Sequence, residues 1–407
     1  MRIFRGGFLA IALVMLVFSG VAEAKKYKPI NEIPGKVPET EEEQGIWQVG
    51  LAHQEKVRGS DELVNNVELE SYLESVVSRL MGDMVDEIGL EVDVLVFKDP
   101  TVNAWAYPNG TVAVQTGLLA AMENEAQLAA ILGHEVSHFL NRHAFIQIKG
   151  KQTQSLIGKS LGAIATVAVA AKTGVVDTGL LESGQIWTDL VTSGYSRKLE
   201  TAADEQGLQF MIDAGYPPDQ ALPAFEAMRI ADDDVVNVKK IWSSHPDIDA
   251  RKKNLSKRIK KAKVKNNKQG LEKGAYLRAV QLAVLTNSQL QVQNREFDLA
   301  IARLRAFTES VGDVAAGHYL LGEAYRKRSP EGDFDMRIAA YRDALAADAG
   351  FSQAWRELDM AYRQQKMPEK ALDAFDKYLQ LNPLAADVPI ITWYRDSLSA
   401  NVTSGGE

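Results

Sequence analysis

The stretch GHEVSHFLNRH, residues 133–143, determines most of what can be predicted about this chain. It lies within residues 123–147, where apolar side chains recur at helical spacing and predict one long helix. Histidines four positions apart share one face of a helix, so His134 and His138 can bind one metal ion. Glu135 lies between them and can serve as a general base toward water at that metal. The stretch therefore predicts a zinc site on a helix.

The third ligand of such a site has to come from elsewhere in the chain. A hydrolytic zinc takes three protein ligands and keeps one open position. The sequence contains no cysteine, so the third ligand must be His, Asp or Glu. Glu200 and Asp204 are four residues apart in SRKLETAAD, residues 196–204, and one could bind metal while the other holds a ligand imidazole. Spacing alone leaves the alternative that this carboxylate pair is only a solvated helix face.

Several ordered motifs resemble the HtpX/Oma-type and CAAX-prenyl-endopeptidase family of zinc metallopeptidases. They are NAWA at 103–106, PNG at 108–110, GLL at 117–119, residues 133–143, residues 196–204, and His245-Pro246 followed by Arg251. The resemblance covers roughly residues 63–251 and is closest to the periplasmic BepA-like branch. It implies a gluzincin-type α+β metallopeptidase domain with a small sheet, in a chain that is otherwise mainly α. One departure is Asn109, where the family more often has glycine; asparagine tolerates the left-handed turn conformation.

The resemblance also implies roles for individual residues. His134, His138 and Glu200 would bind one Zn²⁺, with Glu135 as the catalytic base and Asp204 orienting the first histidine. His245 and Arg251 would lie near the zinc, where they stabilise the oxyanion or gate access. From sequence alone His245 is as readily a turn residue before proline. We expect His143 to be structural, and His53 and His318 to be incidental.

A substrate-binding strand is expected just before the zinc helix. In such peptidases an edge strand pairs with an extended polypeptide through main-chain hydrogen bonds. Residues 111–115 form the second of two predicted strands, after residues 92–97. The substrate-binding residues predicted on this basis are Asn103, Thr111, Val112, Ala113 and Val114.

The amino-terminal residues have the pattern of a secretory signal. Arg2 and Arg5 precede an apolar run at residues 8–18, and Ala-Glu-Ala at 22–24 fits a cleavage site after Ala24. The run is shorter than the roughly 20 residues of a membrane span, and an uncleaved anchor is the alternative. Export without any cysteine suits a bacterial periplasm.

The remaining boundaries follow from changes in composition. Residues 25–60 are expected to be a lead-in arm and residues 61–255 the metallopeptidase domain. Residues 256–274 are expected to be a basic linker, since residues 251–273 hold eleven Lys and Arg against one Glu. Binding to anionic lipid or to a partner is the alternative use of that charge. The apolar run at 160–171 predicts a buried or site-covering helix, with a membrane-touching element and peripheral membrane contact as the alternative.

Residues 275–390 predict an α-helical tetratricopeptide (TPR) solenoid. One unit fits the 34-residue repeat at every position; its marker residues are Trp355, Leu358, Tyr362, Ala371, Phe375 and Pro383. The preceding unit has three extra residues near 329–332 and Arg337 where a small residue is expected. An earlier unit is more degenerate, and three stacked units are a sensible minimum for burying a common core.

The functional expectation combines these parts. The resemblance implies a periplasmic zinc endopeptidase acting on unfolded or misassembled outer-membrane β-barrel proteins, with the repeats docking clients or the β-barrel assembly machinery. The alternative is a chaperone or scaffold that binds the same clients while proteolysis is latent or dispensable. A formal net charge of −8 argues against nucleic acid as a partner.

Overall fold

The computed structural model describes residues 27–33, 38–89, 92–152, 194–233, 245, 247–262, 268–330 and 332–404. The predicted signal at 1–24 and the apolar run at 160–171 lie outside these residues. The chain divides into two compact units. The first comprises Met1–Phe97 and Thr101–Leu271, and the second comprises Lys98–Pro100 and Glu272–Glu407. No helix in the described part is both long and apolar enough to cross a membrane.

The first unit is mainly helical with one small sheet, which confirms the predicted fold class. Its helices are α1 (Glu41–Arg58), α2 (Val67–Met81), α3 (Met84–Ile88), α4 (Thr116–Ala121), α5 (Glu125–Leu140), α6 (His143–Gln152), α7 (Arg197–Asp213), α8 (Ala221–Asp233) and α9 (Ile248–Ala262). Its strands are β1 (Val94–Phe97), β2 (Ala104–Ala106) and β3 (Val112–Gln115). Short 3₁₀ turns lie at Ile30–Glu32 and Pro218–Gln220.

The sheet has the order β1-β3-β2, so the predicted strand at 111–115 is central. β1 pairs with β3 in parallel, and β2 pairs with β3 antiparallel, placing Trp105 opposite Ala113. The tight turn at 108–110, with Gly110 at φ 99°, folds β2 back onto one side of β3. β1 occupies the other side. The expectation that residues 111–115 offer an edge to substrate is therefore wrong.

The predicted helix at 123–147 is two helices. The first of them, α5, begins where the Asn124 side chain accepts from the backbone N–H of Gln127 at 2.9 Å, and it ends at Leu140. Arg142 then adopts φ 57°, which breaks the helix before α6. The Arg142 guanidinium is buried and pairs with Glu43, from Nε to Oε1 at 2.7 Å. This distant contact compensates for the left-handed conformation of a non-glycine residue.

The predicted lead-in arm at 25–60 contains a core helix. In α1, the Thr40 hydroxyl accepts from the N–H of Glu43 at 3.2 Å, and Ile46, Val49 and Val57 are fully buried. These side chains pack in one cluster with Tyr107. The prediction was wrong for Glu41–Arg58, because the three acidic residues at its start suit the positive end of a helix rather than a solvated arm.

Helices α5 and α7 cross at two glycines. A Cβ atom at Gly207 would come within 2.8 Å of the backbone nitrogen of His134, and one at Gly133 within 3.1 Å of the Gly207 oxygen. Only glycine permits this approach of two backbones. The crossing brings the sequence blocks at residues 133–143 and 196–204 together, and α7 begins at Arg197.

From Lys273 onward the second unit is helical, as predicted for residues 275–390. Its helices are α10 (Lys273–Ala279), α11 (Gln281–Gln293), α12 (Phe297–Val311), α13 (Ala315–Arg328), α14 (Asp333–Ala347), α15 (Ser352–Gln364), α16 (Pro368–Leu381) and α17 (Val388–Ser404). The repeat positions Leu358, Ala371 and Phe375 are buried. Helix α17 runs beyond the predicted end at residue 390 and packs Ile391 in the same cluster as Phe375.

The basic segment begins inside a helix. α9 extends to Ala262 and buries Leu255, while seven Lys and Arg residues are spread along it from Arg251 to Lys261. The first part of the predicted linker at 256–274 is therefore a solvated helix end, and α10 begins at Lys273.

Candidate metal centre

Four side chains with metal-binding atoms converge in the first unit. Helix α5 supplies His134 and His138, α7 supplies Glu200, and His245 lies shortly before α9. One ligand atom from each lies within 4.8 Å of all the others, and all four residues are buried. The structure thus brings together three residues predicted as ligands and one predicted only to lie nearby.

The donor atoms face one another closely enough to favour a cation between them. Nε2 of His138 is 3.0 Å from Nε2 of His134, which is 3.3 Å from Nδ1 of His245. The Glu200 carboxylate oxygens lie 3.5 Å from Nε2 of each helix histidine. Imidazole nitrogens and a carboxylate are the set that zinc prefers in catalytic sites. The residues therefore fit a divalent metal ion.

Glu135 lies beside this cluster with one oxygen unengaged. Its Oε1 is 3.6 Å from Nε2 of His245, and its buried Oε2 has no hydrogen-bond partner among the described residues. Burial raises the pKa of Glu135 above its ordinary value. A carboxylate with a raised pKa is suited to accept and return a proton near neutral pH.

Asp204 and Arg251 support the ligands from behind. The Asp204 Oδ1 is 3.0 Å from Nδ1 of His134. Arg251 donates to both Asp204 oxygens, from Nε at 3.0 Å and Nη2 at 2.7 Å, and its Nη1 lies 2.8 Å from Glu200 Oε2. One guanidinium therefore orients two carboxylates, of which one holds a histidine and the other belongs to the donor cluster.

The titrations of the donor residues follow from this network. Burial lowers the pKa of His134, as does Arg251, but hydrogen bonds to Asp204 and Glu200 outweigh them and raise it to about 9. Burial and the neighbouring His134 hold the pKa of His138 well below its usual range. Burial works to raise the pKa of Glu200, but His245 and Arg251 hold it well below its usual range. These opposed shifts mark a densely charged, buried site, which is typical of functional centres.

His143 and Tyr195 contact the second helix histidine. Nδ1 of His143 is 2.9 Å from Nδ1 of His138, and burial lowers the pKa of His143 to about 3. A neutral His143 can accept from Nδ1–H of His138, which leaves Nε2 of His138 for a metal. The ring of Tyr195 stacks on His138 with centroids 3.9 Å apart. The sequence analysis missed Tyr195, because a lone tyrosine before a helix carries no motif.

The predicted substrate-binding residues lie in the interior of the sheet. Val112, Ala113 and Val114 are fully buried in β3, and Thr111 donates to Asp93 Oδ2 at 3.0 Å. Asn103 precedes the edge strand β2 and accepts from the N–H of Gln115 through its backbone oxygen at 3.0 Å. Residues 111–114 are therefore engaged within the sheet, whereas a substrate contact by Asn103 stays a prediction. Of the two incidental histidines, His53 bonds the Tyr107 hydroxyl at 2.9 Å, and His318 bonds the Gly312 oxygen at 2.9 Å.

A buried pair of helix histidines, a glutamate from a second helix and a further glutamate beside them are the arrangement expected of a gluzincin-type metallopeptidase. Residues 68–259 match the family model of Peptidase family M48. This part of the chain is thus a domain similar to Peptidase family M48.

Relatives with assigned names share this domain. The chain is 31% identical over 196 residues to the mitochondrial metalloendopeptidase OMA1 of Schizosaccharomyces pombe, covering 46% of this chain and 54% of that protein. It is 26% identical over 178 residues to the beta-barrel assembly-enhancing protease of Escherichia coli, covering 44% and 36%. It is 26% identical over 187 residues to the metalloprotease YcaL of Escherichia coli, covering 46% and 69%. The match thus spans about half or less of the first two relatives.

Proposed function

We propose that this protein is a zinc endopeptidase of the bacterial periplasm that acts on unfolded or misassembled outer-membrane β-barrel proteins. The observation that carries the proposal is the convergence of His134, His138 and Glu200, with Glu135 beside them. The name of the Escherichia coli relative, a beta-barrel assembly-enhancing protease, supports the class of client. The predicted signal at residues 1–24 supports the compartment.

The chain's own residues can carry the proton transfers of peptide hydrolysis. A bound Zn²⁺ supplies Lewis-acid polarisation and lowers the pKa of water. Glu135 takes a proton from water while the water oxygen attacks the scissile carbonyl carbon. Glu135 then gives that proton to the amide nitrogen as the C–N bond breaks. Arg251 is too fully engaged by Asp204 and Glu200 to touch substrate, so we assign it a positioning role.

We propose that His245 holds the resting centre latent. Its Nδ1 lies 3.3 Å from Nε2 of His134 and 3.1 Å from Glu200 Oε1, inside the donor cluster. An imidazole in the fourth position would exclude substrate and water from the metal. When His245 moves out, the same ring can stabilise the oxyanion.

The edge strand β2 is the best place for an extended client. It pairs with β3 on one side only among the described strands, whereas β3 is paired on both. Main-chain pairing there selects unfolded chains with little regard to side chains. The helical repeats of the second unit would add selectivity by docking clients or the β-barrel assembly machinery.

The competing function is a chaperone or scaffold that binds the same clients with proteolysis latent or dispensable. A His245-blocked centre is compatible with it, but a binding module has no need of Glu135 and its raised pKa. The two functions can be separated with one variant, Glu135→Gln.

The test measures zinc content and cleavage of an unfolded β-barrel protein by the full chain. We expect about one zinc per chain. Glu135→Gln should retain the metal, and its cleavage rate should fall by a factor of roughly 10²–10⁴, which is the usual contribution of a general base. Glu123→Gln, an exposed glutamate just before α5, is the matched control and should cleave normally. Absence of zinc, or equal cleavage by Glu135→Gln, would overturn the proposal.

A further inference from the structure

A groove in the second unit is lined mainly by cationic side chains. It encloses about 690 Å³ between residues of α13, α14, α15 and α17. Four arginines line it against a single glutamate. The residues that matter here are Arg326, Arg337, Arg356, Arg363, Glu357 and Tyr394.

Two of the four arginines already have carboxylate partners. Nη2 of Arg326 lies 2.6 Å from Glu323 Oε2, and Nε of Arg356 lies 3.0 Å from Asp387 Oδ2. Glu357 contacts both arginines more loosely, at 3.4 and 3.8 Å. These pairs hold the walls of the groove in place and leave little charge for a ligand.

Arg337 and Arg363 pair with no carboxylate in the described part of the chain. The Arg337 guanidinium lies 4.4 Å from the centroid of Phe334, and its buried Nε has no hydrogen-bond partner among the described residues. Arg363 lies 4.2 Å from the centroid of Tyr394. Stacking on a ring fixes the plane of a guanidinium and leaves its edge for a planar anion.

We infer that this groove binds an acidic peptide segment, whose carboxylates pair with Arg337 and Arg363. Arg337 donates only to the neutral Gln364 at 3.3 Å and Arg363 to the Met360 sulfur at 3.6 Å among the described residues. Both positive charges therefore favour an anionic ligand, and the planar forks match carboxylates. The groove also contains Tyr394 and Met360, which can contact apolar side chains that lie between the carboxylates of a peptide. A flat lipid surface cannot enter a cleft of this volume, so a peptide is the better ligand. The inference deepens the docking role proposed for the repeats and rests on it, but it is independent of peptide hydrolysis.

The test is fluorescence anisotropy with a labelled peptide of alternating Glu and Leu, using the full chain carrying Glu135→Gln so that nothing is cleaved. We expect binding that weakens as salt is raised. Replacing both Arg337 and Arg363 by Gln should weaken it about tenfold or more, since each loses a charge-assisted hydrogen bond. Arg342→Gln is the matched control, because Arg342 is exposed on the same helix α14 and does not line the groove.

Three results would overturn the inference: equal binding of the peptide in which Gln replaces Glu, unchanged binding by the double Gln variant, or binding only to phosphatidylglycerol vesicles. If the double Gln variant unfolds, the Arg→Lys pair takes its place. The Lys variant keeps the positive charges but lacks the planar guanidinium, so it should bind the peptide more weakly than the parent. Equal affinity would contradict the inferred pairing of the two guanidinium groups with carboxylates. Failure of zinc-dependent cleavage with intact peptide binding would instead reject the proposed peptidase function alone.

Discussion

Asp204 Oδ1 lies 3.0 Å from Nδ1 of His134, and both groups are buried. A carboxylate that accepts from Nδ1–H turns Nε2 of the same ring, with its lone pair, toward the donor cluster. The second helix histidine obtains the same orientation from His143, whose Nδ1 is 2.9 Å from Nδ1 of His138. Each helix histidine is thus oriented by a different partner, one anionic and one neutral.

Replacing Asp204 by Asn should weaken metal binding by about 10- to 100-fold, since an amide is a poorer acceptor for the imidazole N–H. The measurement is zinc retention against a chelator of known affinity. Asp213→Asn is the control, because Asp213 is exposed on the same helix α7 and accepts from Gln209 at 2.8 Å, away from the donor cluster. Equal retention by both variants would argue against the positioning role of Asp204.

Replacing His245 by Ala should raise the basal rate of cleavage several-fold, because it removes the imidazole that would otherwise occupy the position needed by substrate and water. Initial rates on an unfolded client, with zinc content measured in parallel, give the readout. His318→Ala controls for the loss of a histidine outside the donor cluster. A rate that falls while zinc is retained would show that oxyanion stabilisation, and not latency, is the dominant role of His245.

Replacing Gly207 by Ala should destabilise the first unit by about 1–3 kcal/mol, because the added methyl meets backbone atoms that cannot move aside. A Cβ there would come within 2.8 Å of the His134 nitrogen. Thermal unfolding and zinc content would both be reduced. Gly59→Ala is the matched control, since a Cβ at Gly59 comes no closer than 3.6 Å to any neighbour considered. Similar melting of the two variants would contradict the close helix crossing.

Replacing Asp359 by Asn should stabilise the second unit increasingly as pH rises. Burial raises the pKa of Asp359 from 3.8 to about 8. Between these values the unfolded chain is ionised and the folded chain is not, so native stability falls with rising pH, by at most roughly 1.4 kcal/mol per pH unit. The Asn variant does not ionise, so its stability does not fall in this way as pH rises. The melting temperatures of the parent and of Asp359→Asn should diverge as pH rises through that range and differ by a constant amount above its upper value. Asp343→Asn, an exposed control on α14, should show no such divergence from the parent.

Local sequence spacing predicted much of the candidate centre. The four-residue intervals in α5 and α7 placed two histidines on one helix face and two carboxylates on another, because helix geometry depends only on the backbone. The repeat pattern around Trp355 likewise anticipated a helical hairpin in the second unit. Both inferences concern neighbours within a turn or two of the chain.

Contacts between distant residues decided what local spacing could not. Arg142 follows the end of α5 in a left-handed conformation, and Glu43, 99 residues away, holds its guanidinium. The strand at 112–115 is central because β1 and β2 take both of its sides, and strand order is invisible in an alternating pattern.

By itself, then, the sequence determined which residues of α5 and α7 are candidate metal ligands and that the second unit is helical, because each follows from helical periodicity. Only the tertiary structure brought Glu200 and His245 to within 3.1 Å of each other and stacked Tyr195 on His138. Convergence of this kind depends on packing between distant segments, and the approach of α5 to α7 in particular rests on the absence of a side chain at Gly133 and Gly207.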